Sequence, residues 1–183
     1  MEEPKVNIKC EINHVYFYSE VDRDSTYELI DCLKEAEDNC IAICHNTNIK
    51  EIPIYLHINS FGGCIFSALN VIDYIQSSKF DVHTIIEGST ASAGTLISVA
   101  GVKRYIRPNA YMLIHQLSSG CWGKMAEIED EFINLKELTV KIKKIYKKYT
   151  SIPKAELKGI LKRDLWLNSD KCVEYGLADE LWT

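Results

Sequence analysis

An α/β fold with parallel strands is predicted by three features of this sequence. Ile54, Leu56 and Ile58 alternate with Tyr55 and His57 as a core strand, and Asn59-Ser-Phe-Gly-Gly63 then turns into a helix striped by Ile65, Leu69, Ile72 and Ile75. Val82 to Ala100 repeats the pattern: an apolar strand over Val82 to Ile86, the small-residue run Gly88-Ser-Thr-Ala-Ser-Ala-Gly94, and an apolar helix from Thr95. Two strand–turn–helix units in succession favour crossovers that return each strand in the same direction. The third feature is length: 183 residues without a linker suit a single domain, long enough to bury about two-thirds of its unfolded surface.

The remaining elements follow in order. Ile12 to Tyr18 has the β-branched and aromatic content of a first strand, and Ser25-Thr-Tyr-Glu28 reads as a capping box for a helix with Leu29, Ile30, Leu33 and Ala36 inward. Asp38 to Glu51 is polar and reads as an exposed loop. Arg104 to Arg107 and Tyr111 to Ile114 are short strands about the turn Pro108-Asn109, and Leu117 to Gly123 reads as an extended segment beside a groove. Met125 to Tyr149 is a long helix, with Ile128, Phe132, Leu135, Ile142, Ile145 and Tyr149 at helical spacing and lysines crowding its C-terminal end. At about 40 Å it is long for one small core, so it is expected to project and pair with another subunit. Thr150 or Ser151 should cap a short helix ending near Lys162, Leu165 to Leu167 a small strand, and Ser169 a last helical turn closed by Gly176 in the left-handed region.

Composition removes several classes of function. A formal net charge of −5 gives no basic field for nucleic acid. No apolar run approaches the ~20 residues of a membrane span, and Met1 to Lys5 lacks the features of a secretion signal. Together with seven cysteines, an odd number, this predicts reduced thiols in the cytoplasm or an equivalent reducing compartment. Cys40, Cys44 and His45 lack the paired spacing of a zinc site, so no metal is expected. Neither glycine cluster has Rossmann or P-loop spacing, so no nucleotide cofactor is expected in this chain.

What remains points to nucleophilic chemistry. Ser92 stands at the first turn of a buried helix, where unpaired N–H groups and the positive dipole end stabilise an oxyanion. A serine needs a base, usually a histidine oriented by a carboxylate. His115 ends the apolar run Tyr111-Met-Leu-Ile-His115 and can return to the same sheet end. His14 and His45 lie in polar surroundings, and His57 and His83 inside strands where imidazoles commonly only pack. Among the carboxylates, Asp130, Asp164, Asp170 and Asp179 are equally available.

The motifs Asn59-Ser-Phe-Gly-Gly63, Ala91-Ser-Ala-Gly94, Leu113-Ile-His-Gln116, Arg163-Asp164 and Glu174-Tyr-Gly-Leu177, in this order and with these gaps, resemble the proteolytic subunit family of the Clp protease, ClpP. The resemblance implies one peptidase domain of the ClpP/crotonase type, repeated ββα units in a superhelix, with a variable N-terminal segment over 1–20 and a handle region over 117–164. It implies Ser92 as nucleophile, His115 as general base and acid, Asp164 as the orienting carboxylate, and Gly63 and Ala93 as backbone oxyanion donors. Leu117, Ser118, Ser119 and Gly120 would bind substrate as an added strand. The implied partners are further copies in stacked heptameric rings, unfolded polypeptides, and an AAA+ Clp-type unfoldase that alone would use ATP.

Phe61 and Leu117 stand where the family usually has proline, Ser118-Ser119-Gly120 is less glycine-rich, and Met1 to Glu11 is short where the family's segment lines the axial pore. Alternative readings are a silent or scaffolding ring subunit, a phage-type capsid-maturation protease of related fold, a serine–lysine peptidase using Lys103, or an acyl-CoA enzyme of the crotonase type.

Overall fold

The second strand of the repeated pattern changes partner along its length, and this organises the molecule. In the computed structural model, which describes residues 7–183, β1 (Ile8–Glu11) and β2 (His14–Phe17) form an antiparallel hairpin. From there β3 (Ile54–Ser60), β4 (Val82–Ala91), β5 (Lys103–Ile106) and β8 (Glu180–Leu181) add in parallel. β4 pairs with β5 over His83–Ile86 and then with β6 (Tyr111–Leu113) over Ser89–Ala91. β6 carries the antiparallel edge strand β7 (Leu167–Asn168). The change of partner falls at Gly88, whose φ of 65° is a left-handed bend, and the β3–β4 register slips between Ile58 and Ser60.

Helices cover one face: α1 (Arg23–Thr47), α2 (Ile65–Ser77) and α3 (Ala93–Ser98), with α4 (Met125–Tyr149), α5 (Lys154–Ile160) and α6 (Ser169–Glu174) completing the chain. Leu29, Leu33, Ala36 and Cys40 of α1 and Ala68, Val71, Ile72 and Ile75 of α2 are buried with Leu56, Ile58 and Ile86 of the sheet. Each large aliphatic in this layer contributes roughly 1.5–3 kcal/mol by leaving water. Arg104 anchors the far end, its guanidinium donating to Asp179 and to the carbonyls of Tyr149 and Gly176. None of the described helices is long and apolar enough to cross a membrane.

Several boundaries differ from the sequence expectation. Residues 8–11 form β1, closed onto β2 by Ile12 at φ 61°; the rest of the expected N-terminal segment before Asn7 lies outside the described residues. Helix α1 is capped by Asp22, whose side chain accepts from Ser25 N–H while Ser25 Oγ accepts from Asp22 N–H, so Ser25 is the third helical residue and not the cap. It runs through the expected loop to Asn48 in the left-handed region, because Cys40 continues the buried stripe of Leu33 and Ala36. Pro153 and not Thr150 or Ser151 precedes α5, and Asn168, accepting from Lys171 N–H, caps α6 in place of Ser169. The small-residue run is β4 as far as Ala91, and only Ser92 turns. Met125–Tyr149 is helical as expected, but only Ile142, Ile145 and Tyr146 are buried, while Met125, Ile128 and Phe132 stand in solvent.

On the face away from the helices, His14 is not merely in polar surroundings. Its Nδ1 lies 2.9 Å from His57 Nε2, and its ring stacks on Tyr55. His57 is buried, with Nδ1 3.1 Å from Glu87 Oε1, within ion-pair reach but off the line of a hydrogen bond. Burial lowers the pKa of His14, His57 and His83 below the ordinary imidazole value, with neighbouring carboxylates opposing. Burial raises Glu87, but Tyr18, His57 and Arg107 outweigh it and hold the carboxyl below its usual range. The unfolded chain therefore binds protons first. Stability should be full above about pH 6.5 and fall as pH drops below it, with Glu87 adding its loss in stronger acid. Thermal midpoints should be lower at pH 5.5 than at pH 7.5, and His57→Gln should narrow that difference.

Candidate active site

Ser92 is the residue between β4 and α3. Its N–H continues the β4–β6 ladder by donating to the Leu113 carbonyl at 2.9 Å, and its backbone then breaks to φ 53°, ψ −124°. A non-glycine residue held there costs on the order of 1–3 kcal/mol, so the surroundings must impose it. Glycines make that imposition possible. At Gly62, φ 94°, a Cβ would lie 2.7 Å from Ser92 Cβ and 2.9 Å from Ala93 N. A Cβ on Gly63, φ 143°, would collide with the Val21 carbonyl, which accepts from Cys64 N–H at 2.6 Å. Gly94 lets α3 lie on β3, where a Cβ would sit 3.2 Å from Ser60 Cβ.

His115 and Asp164 come from segments pinned to one another. Gln116 N–H donates to the Leu161 carbonyl at 2.6 Å, fixing the chain after β6 against the end of α5, and two turn bonds, Lys162 N–H to Gly159 and Arg163 N–H to Ile160, lead to Asp164. The outcome is His115 Nδ1 3.1 Å from Asp164 Oδ1, with the imidazole partly buried and the carboxylate 80% exposed. A carboxylate at Nδ1 keeps the proton on that nitrogen and leaves Nε2 as the basic one. Among the described residues no hydrogen bond joins Ser92 Oγ to the imidazole. Both line one cavity of about 60 Å³, together with Gly63 and Ala93. Its apolar wall is Ile65, Leu96, Ile142 and Tyr146, and Leu117 and Ser118 form its rim.

Ser119 and Gly120 do not reach it: Ser119 Oγ donates to Glu131 on α4, and Gly120 has open space around it. Residues 117–123 carry no strand pairing and no backbone hydrogen bonds among the described residues, so their backbone edge is open. The competing carboxylates are accounted for, Asp179 by Arg104, Asp170 by the first turn of α6, and Asp130 by its place along α4. Lys103 is on β5, 2.5 Å from Glu180, and does not line the cavity with Ser92. Among the described residues no group of three His, Cys, Asp or Glu side chains could hold a metal ion. Nothing in the sequence marks Thr95 and Tyr146 as site residues, although Tyr146 falls four residues after Ile142 on the same stripe.

Since Gly62 is the point of closest approach, Gly62→Ala should both lower the thermal midpoint and slow labelling of Ser92 by a fluorophosphonate, whereas the open Gly120→Ala should do neither.

Residues 12–183 match the Clp protease family model. The chain is 37% identical over 131 residues to the ATP-dependent Clp protease proteolytic subunit 2 of Treponema denticola, an alignment covering 70% of this chain. It covers 66% of the relative, just under two thirds of that protein's length. With a mostly parallel sheet, helices that begin just after Gly63 and Ser92, and a family match over nearly the whole sequence, the chain belongs to the Clp protease family.

Proposed function

We propose that this protein is a serine endopeptidase that hydrolyses peptide bonds of unfolded polypeptides through an acyl-enzyme, inside a chamber built from copies of itself. The observation that carries this reading is the 3.1 Å contact of His115 with Asp164 on a cavity shared with the strained Ser92. Ser92 Oγ attacks the scissile carbonyl as His115 Nε2 takes its proton. Asp164 holds the tautomer and stabilises the imidazolium, and His115 then protonates the leaving amine. Water enters by the same route and releases the acyl group. The N–H groups of Gly63 and Ala93 receive the oxyanion, each worth roughly 10²–10³ in rate in comparable sites. Substrate binding draws the serine and imidazole into hydrogen-bond contact, which resting sites often lack.

The open edge at Leu117–Gly120 suits an extended peptide added as a strand. Exposed Met125, Ile128, Phe132 and Ile133 on α4 form an apolar surface that a second copy would cover, in keeping with stacked rings, here proposed as heptameric. An AAA+ Clp-type unfoldase would deliver folded substrates and use the ATP; this chain needs no cofactor for the chemistry.

Ser92→Ala should abolish cleavage of a short fluorogenic peptide and fluorophosphonate labelling while leaving the native mass of the assembly unchanged. Asp164→Asn should lower the rate by about 10²–10⁴. Undiminished cleavage by Ser92→Ala, or a monomeric wild type inert to peptides, would overturn the proposal.

A further inference from the structure

The peptide unit after Ser92 is held by a chain of two buried hydroxyls that starts on the long helix. Ser92 C=O accepts from Thr95 N–H at 3.0 Å and from Thr95 Oγ1 at 2.6 Å. Thr95 Oγ1 in turn lies 2.7 Å from Tyr146 Oη, and the two residues are 0% and 1% exposed. Proton inventory fixes the direction. A carbonyl only accepts, so threonine spends its single hydroxyl proton on Ser92 and can only accept from Tyr146. Burial pushes the tyrosine hydroxyl well above its ordinary pKa, which keeps it a donor throughout the neutral range.

What lies at the end of this chain matters more than its polar satisfaction. The Ser92 carbonyl and the Ala93 N–H belong to one planar trans peptide unit, in which C=O and N–H point in opposite directions. As the first residue of α3, Ala93 has no acceptor within the helix, and it lines the cavity with Ser92. Resting on the peptidase reading above, we propose that Thr95 and Tyr146 are positioning residues for the oxyanion site. They draw the Ser92 carbonyl into the protein through two hydroxyls in series and thereby aim the Ala93 N–H into the cavity. Tyr146 is part of the buried end of α4, with Ile142 and Ile145, so the setting of this amide depends on how that helix end is seated.

The test uses the full chain, measuring kcat and KM on a fluorogenic peptide and affinity for a peptide boronic acid, whose tetrahedral adduct on Ser92 places an oxygen where the oxyanion forms. Thr95→Val keeps the shape and removes the hydroxyl. It should lower kcat about 10- to 100-fold, less than outright loss of a donor, with KM within about twofold and boronate affinity reduced in parallel with kcat. Thr95→Ser should restore most of the rate. Tyr146→Phe should cost less than Thr95→Val and little more in its presence, because the two act in one chain. Wild-type kcat and boronate affinity in Thr95→Val would overturn the inference, as would a loss of activity that follows the folded fraction while boronate affinity per folded site is unchanged. A wild type that neither cleaves peptides nor reacts with a fluorophosphonate would remove the peptidase reading itself, before any substitution is compared.

Discussion

The close approach of two backbone turns, Ser60–Gly63 and Ala91–Gly94, is the constraint on which the rest of the site depends. Gly62 faces the β-carbon of Ser92 at a distance no side chain could occupy, and Gly94 lies close enough to Ser60 that a side chain there would force a small shift. That contact holds a serine in a backbone region that serines avoid, and it sets the turn at Gly63 beside the start of α3. The cost of the strained serine is met by burial of the strands and the helix that flank it, where Ile58 of β3, Ile86 of β4 and Ile97 of α3 are fully enclosed.

The sheet explains why three chemically useful residues so far apart in sequence meet. β4 hands its partner role from β5 to β6 at Gly88, which places the end of β6, and so His115, next to the end of β4. The loop after α5 is bonded to Gln116, so Asp164 arrives from the far side of the same residue pair. Asp164 is mostly in water, and its pull on the imidazole is therefore screened compared with what a buried carboxylate would exert.

Much of this was legible in the sequence. The two strand–turn–helix units stand out because their apolar alternation switches to helical spacing at clusters of small residues, and the ends of α4 are marked by composition. Ser92 and His115 could be nominated from their surroundings. Asp164 could not: four aspartates were equivalent until family likeness favoured one, and only the fold shows that Asp179 is occupied by Arg104. The full length of α1 is hidden in the sequence by polar residues on its outer face, which mask a stripe that continues through Cys40. β1 is not legible in the sequence, because a hairpin's backbone pairing leaves little trace in four residues of mixed polarity. Tyr146 is buried more deeply than Tyr149, a difference the sequence does not show, since a helical stripe gives a face and not the depth to which each member is buried.

Length tolerance follows from the divided pairing of β4. Its first half is in register with β3 and β5 and its second with β6, so adding or removing one residue would satisfy at most one of those ladders and would turn alternate side chains to the wrong face. The stretch from Leu117 to Gly123, with no ladder to keep, has no such restriction. Over evolutionary time, insertions and deletions in this chain should therefore accumulate beside the cleft and be purged from the strand that delivers the serine.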